Sequence, residues 1–330
     1  MKIYGLEEHM ATTDLIQAWK RSDPALTEAV LKWAIASDTI TPALMDVDAG
    51  RLSDMDDAGI DVSVLSVTTP GLQNLDAVDA VALQRPTNDL IATAVGRHPD
   101  RLQGFATLAT PAPEAAAAEL GRAVTELGLC GAMIHARSGE HGVDGAEFWD
   151  IYEAAADLRA PIYLHPRAPL PAIAEHYYRG FSDPVNDMLA TGGIGWHYDA
   201  GLTALRMILS GLFDRFPDLQ IILGHWGEVV LFYLDRISIL DGLGHLQRPV
   251  ADYFRSNFYI TPGGISSHKY LRWTMETVGA ERIMYASDYP FNRESNGTVP
   301  RFLATAGLSD TERESIAYGN WEKLTANIRR

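Results

Sequence analysis

One cysteine, Cys130, occurs in 330 residues, so no disulfide can form within the chain and a reducing compartment fits. Positive charge is also short: 27 Lys and Arg stand against 43 Asp and Glu, a net charge of −16. That balance argues against a nucleic-acid partner, which calls for a basic face. It leaves the substrate open, because a bound metal reverses the local sign inside an acidic protein. No apolar run approaches the roughly 20 residues of a membrane span, and no charged-then-apolar leader precedes the first strand. A soluble, cytoplasmic protein with no membrane partner is expected. No Gly-rich phosphate turn follows the first candidate strand, which weakens an open, doubly wound sheet.

What is present is an apolar content of 47%, ample for a large core, arranged as short apolar runs between helical stretches. Candidate strands fall within residues 1–9, 62–67, 102–108, 132–134, 161–164, 219–223, 258–260 and 282–286. Residues 51–60, 75–98, 113–127, 148–158, 200–213 and 228–240 read as helices, as do stretches near 311–317 and 321–326. Pro86 is expected to kink or split the second of these. In 200–213 Leu202, Leu205, Ile208, Leu209 and Leu212 are expected on one side of the helix. Residues 11–50 read as helical segments broken at Pro24 and Pro42 and anchored by Trp19, Leu31, Trp33 and Leu44. Residues 167–197 read as a long irregular region. Eight short strands separated mostly by helices predict an α/β fold, a (β/α)8 TIM-like barrel. It forms a single domain over 1–330, with cap insertions at about 11–50 and 167–199.

The strand ends of such a barrel converge on one mouth. Glu7 and His9 lie two apart on the first strand and share a face, with Glu8 opposite. His165 ends the fifth strand, His225 the sixth, and Asp288 follows the eighth. Two carboxylates and several imidazoles from separate strands are what a single divalent cation requires.

These residues carry a resemblance. Glu-x-His on the first strand, Tyr-Leu-His-Pro-Arg at 163–167, Leu-Gly-His-Trp-Gly-Glu at 223–228 and Ala-Ser-Asp-Tyr-Pro-Phe at 286–291 resemble the amidohydrolase superfamily. Within it they are similar to the metal-dependent, non-oxidative decarboxylases, the branch of γ-resorcylate and aminocarboxymuconate-semialdehyde decarboxylases. The likeness runs nearly end to end, and His-Pro-Arg-x-Pro-Leu-Pro at 165–171 points to the aromatic-acid members. It implies metal ligands Glu7, His9, His165 and Asp288, with His225 as a catalytic histidine paired with Glu228. It implies one divalent ion, zinc or manganese, no organic cofactor, and a homodimer or homotetramer. Arg236 matches an arginine that in relatives reaches a neighbouring subunit's site, although it reads equally as a solvated helix residue.

The expected reaction releases CO2 from an ortho-hydroxylated aromatic carboxylate. Protonating the ring carbon before the carbon–carbon bond breaks avoids an aryl carbanion, and Asp288, or else His225 with Glu228, would supply the proton. The competing expectation is metal-assisted hydrolysis of an amide or lactone on the same barrel. Against it, the lysines (Lys2, Lys20, Lys32, Lys269 and Lys323) all lie away from strand ends, so none is placed for carbamylation. Trp196, Tyr198, Trp226, Tyr289 and Phe291 suggest an aromatic lining suited to a flat ring. His135, Arg137, Trp196 and His197 are further candidates for binding substrate.

Overall fold

A computed structural model describes residues 1–22, 29–243 and 245–330; the expected break at Pro24 lies outside them. The first strand, Tyr4–Met10, runs parallel to Val62–Val67, which pairs with Leu102–Gly104. Ala106–Thr107 resumes the third strand beyond Phe105 and pairs with Ala132–His135. Ile162–His165, Ile221–Leu223 and Phe258–Ile260 follow in parallel order. The expected eighth strand at 282–286 is not a regular strand. Ile283 bridges Ile260, while Leu6 N donates to Tyr285 O at 3.1 Å and His9 N to Tyr289 O at 2.7 Å. Those contacts close the sheet into the barrel the alternation predicted.

The barrel interior holds Tyr4, Leu6, Val62, Val64, Phe105, Met133, Tyr163, Ile222, Tyr259, Met284 and Ala286, with Trp321 packed against Phe105. These are alternate positions on each strand, as the two-residue period requires. One exception matters. The pairing of the first two strands slips between Gly5 and Glu8, so Leu6 and Glu7 together face Val64. This bulge re-aims the strand so that Glu7 and His9 enter the interior after Leu6. Glu8 points outward across Gly5, where an added Cβ would lie 2.3 Å from its Oε1.

Several helices differ from expectation. Ala77–Arg97 runs unbroken through Pro86, because Gln84 and Asn88 pin the turns on either side to Ala109 N at 3.0 Å and Thr107 N at 2.8 Å. Pro42 sits inside the helix Ile40–Met45 rather than breaking it. The stretch at 167–197 contains helices Pro171–Tyr177 and Asp183–Ala190, each with proline in its first turn, where the missing N–H costs nothing. The helix expected at 200–213 is Gly195–Leu209, which buries Ala200, Gly201, Ala204, Met207 and Ile208. Leu202 and Leu209 face outward. The helix expected at 228–240 is a set of short turns, since His225, Trp226, Glu228 and Val229 all take positive φ. Trp19, Leu31 and Leu44 are buried anchors, but Trp33 is 56% exposed.

Candidate active site

At the C-terminal mouth, ligand atoms of Glu7, His9 and His165 lie within 4.8 Å of one another. Glu7 Oε1 is 3.2 Å from His165 Nε2 and 3.9 Å from His9 Nε2. Asp288 Oδ1 is 3.4 Å from His9 Nε2, and His225 Nε2 is 4.0 Å from Glu7 Oε1. Glu7 Oε1 and His9 Nε2 are buried without a hydrogen-bond partner. A buried carboxylate oxygen and an imidazole nitrogen left unpaired beside each other are costly unless something cationic joins them. The donor set therefore fits a divalent cation.

Surrounding groups set the orientation. Tyr163, two residues before His165 and so on the same face, donates to Glu7 Oε2 at 2.5 Å and pairs with Thr261 Oγ1 at 2.7 Å. His165 Nδ1 is 2.7 Å from Pro166 O. A carbonyl only accepts, so that bond places the proton on Nδ1 and leaves Nε2 free as a ligand. Burial keeps His9 below the ordinary histidine pKa despite the nearby Asp288 carboxylate, which favours the neutral imidazole that a metal site needs. Burial works against ionisation of Glu7, but His225, His165 and His9 outweigh it and hold the carboxyl below its ordinary range.

Behind the first strand lies a second polar group. Glu8 accepts from Ser287 N at 3.0 Å and Ser287 Oγ at 2.7 Å, fixing the residue before Asp288. Arg51, buried over the Tyr289 ring at 4.7 Å, donates to His9 O at 2.5 Å. Burial raises Glu8 to about 7, partly offset by the Ser287 bonds.

The remaining candidates are placed unequally. His225 Nδ1 and Glu228 Oε1 are 2.7 Å apart, as their spacing implied. Burial disfavours charge on His225, yet Glu228 and Glu7 outweigh it and raise its pKa. Phe291 meets the His9 ring edge-on at 5.7 Å, and Trp33 lies 6.3 Å beyond it, forming an aromatic wall. His135 Nδ1 is 3.3 Å from His165 Nδ1. Arg137 donates to Ala168 O at 2.6 Å, outside the cluster. Trp196 packs 6.4 Å from His165, while His197 reaches Glu228 rather than the open mouth. Tyr289 and Trp226 turn away, bonding Asp54 and Ile265 O, and Tyr198 is largely exposed. Arg236 is exposed on Leu234–Ile237 and is not brought to the cluster. Tyr163, Thr261, Arg51 and the Glu8–Ser287 pair carry no site role in the sequence reading, and Trp33 enters it only as an apolar anchor.

A closed parallel barrel that gathers imidazoles and carboxylates at the C-terminal strand ends is of the metal-dependent enzyme type. The chain belongs to the amidohydrolase family, whose match spans residues 41–324. It is 33% identical over 333 residues to a gamma-resorcylate decarboxylase of Polaromonas sp. strain JS666, covering 97% of each chain. The structure of 5-carboxyvanillate decarboxylase from Sphingomonas paucimobilis superimposes with a TM-score of 0.91 at 32% identity, covering 99% of both chains. A dihydroxybenzoic acid decarboxylase from Polaromonas sp. JS666, with bound manganese and the inhibitor 2-nitroresorcinol, gives 0.84 at 31% identity, covering 100% of this chain and 98% of that one. Among the described residues no helix is long and apolar enough to cross a membrane.

Proposed function

We propose that this protein is a metal-dependent, non-oxidative decarboxylase that releases CO2 from an ortho-hydroxylated aromatic carboxylic acid. The observation that carries the reading is the buried, unpartnered pair Glu7 Oε1 and His9 Nε2, facing His165 and Asp288 at the barrel mouth. The relatives described above, decarboxylases of hydroxylated aromatic acids, supply the substrate class. Glu7, His9, His165 and Asp288 would hold one divalent ion, manganese or zinc. Bound there, the ion would draw the carboxylate and ortho-oxygen of the substrate together and favour the phenolate.

The chain's own residues do the rest. Phe291, with Trp33 beyond it, gives a flat ring a wall to lie against. His225, protonated and paired with Glu228, offers Nε2–H to a substrate oxygen, and His135 flanks the same region. Asp288 takes the proton that the ortho-hydroxyl releases and delivers it to the ring carbon bearing the carboxylate. The carbon–carbon bond then breaks, its electrons return to the ring, and CO2 leaves. Asp288 is preferred to His225 as the acid because Glu228 holds a proton firmly on His225. A homodimer or homotetramer fits the exposed Tyr233, Ile239 and Leu243 around Arg236, whose guanidinium would then serve a neighbour's site. A cytoplasmic location fits the single, buried, free Cys130.

The test is metal analysis followed by a panel of hydroxybenzoates watched by ultraviolet absorbance, with amides and lactones in parallel. Loss of one carboxylated phenol, reversed by bicarbonate, is expected. Turnover of only the amides or lactones would overturn the reading in favour of hydrolysis.

A further inference from the structure

We propose that His197 is a positioning residue that acts through Glu228 to aim His225 into the active site; this rests on the decarboxylase reading above. Glu228 is fully buried, and each carboxylate oxygen has one imidazole partner: Oε1 lies 2.7 Å from His225 Nδ1, and Oε2 lies 2.7 Å from His197 Nδ1. Trp196 Nε1, which can only donate, is 3.0 Å from His197 Nε2. Nε2 also lies 3.3 Å from Gly192 O, but the shorter Trp196 contact and the 2.7 Å contact of Nδ1 with a carboxylate make Nε2 the acceptor and put the His197 proton on Nδ1, toward Glu228. The chain Trp196 → His197 → Glu228 ← His225 therefore has a defined donor and acceptor at every link.

The helix Gly195–Leu209 delivers this contact and is built to sit close. Gly201, one turn after His197 and on the same face, leaves the space that Glu228 needs. A Cβ at 201 would lie 2.2 Å from Glu228 O. The turn it presses against holds His225 at φ 45, Trp226 at φ 58, Glu228 at φ 51 and Val229 at φ 62. Side chains rarely adopt that region, so the turn needs outside support. His197 grips the side chain of Glu228 and Gly201 admits its backbone, which fixes the carboxylate and, through it, the tautomer and direction of His225.

Ligand atoms of His197, His225 and Glu228 also lie close enough to suggest a second cation site. The bonding argues otherwise, because protons on both imidazoles occupy the positions facing the carboxylate, and His197 Nε2 is taken by Trp196.

The test uses the manganese-loaded enzyme with the hydroxybenzoate it turns over fastest. His197→Leu removes the donor; His197→Asn keeps an N–H near the position of Nδ1; His197→Gln carries it one methylene too far. Expected are kcat lowered about 10–100-fold in the Leu and Gln variants, KM within about threefold, and most of kcat recovered in the Asn variant. Metal content stays at one ion per chain throughout. The His225 Nδ1–H proton resonance, read in the zinc-loaded protein because paramagnetic manganese would broaden it away, shifts with Leu and Gln but not with Asn, which reads the positioning even where no substrate is turned over. If the Leu variant does not fold, the contrast between Asn and Gln decides. Unchanged kcat and resonance in Gln would overturn the proposal. So would a raised KM at constant kcat, which would put His197 on the substrate, or two ions per wild-type chain falling to one.

Discussion

Replacing Tyr163 by Phe removes one oxygen from the floor of the Glu7–His9–His165 cluster and leaves the ring in place. Tyr163 is fully buried, and its hydroxyl lies 2.5 Å from Glu7 Oε2. Burial and the Glu7 charge push its pKa well above the ordinary tyrosine value, so the phenol stays a donor at any working pH. Holding Oε2 leaves Oε1 turned toward His165 and His9. Without the hydroxyl, Glu7 loses a hydrogen bond to a charged group, worth about 1.5–3 kcal/mol, and with it the constraint on its rotation. If that energy is lost from ion binding, manganese affinity falls roughly 10–100-fold, the range typical when a partner of a metal ligand is removed. Competition titration of the stripped protein against a chelating dye measures the loss directly. Thr261→Val, which touches only the far side of the phenol, is the control and should cost less. Manganese binding in Tyr163→Phe within twofold of wild type, or tighter, would refute the argument that the phenol orients Glu7.

Asp288→Asn is expected to lower turnover by about 10²–10⁴-fold while the melting temperature stays close to wild type; near-normal turnover removes Asp288 from proton transfer. Glu8, raised from 4.5 to about 7 by burial, binds its proton more tightly folded than unfolded. Its contribution to stability is complete below about pH 4.5 and is lost as pH rises to about 7, at most about 3 kcal/mol. Thermal melts of the metal-free protein between about pH 5 and 8 should therefore slope downward in wild type and flatten in Glu8→Gln; equal slopes would contradict the shift. Gly201→Ala should destabilise the fold by about 1–3 kcal/mol and lower kcat, since its methyl group must displace Glu228; a silent substitution, seen by denaturant titration and kinetics, would show that the gap can relax.

Much of this architecture is legible in the residues because local signals agree with the global fold. Residues 62–67 and 258–260 match their strands at both ends, where turn residues bracket apolar runs. The eighth segment is harder, because it touches its neighbours through isolated bridges on either side of a left-handed Asp288. Gly195–Leu209 misleads by composition: its buried face is made of small residues that allow close approach, and two of its leucines face outward. Proline in a first helical turn made 167–197 look irregular. The cluster of Glu7, His9, His165, His225 and Asp288 was visible because strand ends converge by construction. The grip of His197 on Glu228 was not, since it joins residues on different elements through a packing angle that no local pattern encodes. Tyr163 was findable from its two-residue spacing to His165.

The bond from Ser287 to Glu8 ties together residues 279 apart in the chain. During synthesis the opening strand has therefore been made long before the segment that completes it. Until residues 283–289 emerge, the buried carboxyl of Glu8 lacks the serine that holds it, and the aspartate at the mouth does not yet exist. A ribosome-bound fragment can form early helices, but it cannot assemble the cluster of Glu7, His9, His165 and Asp288. Competence arrives late, when residues 283–289 meet the strand Tyr4–Met10.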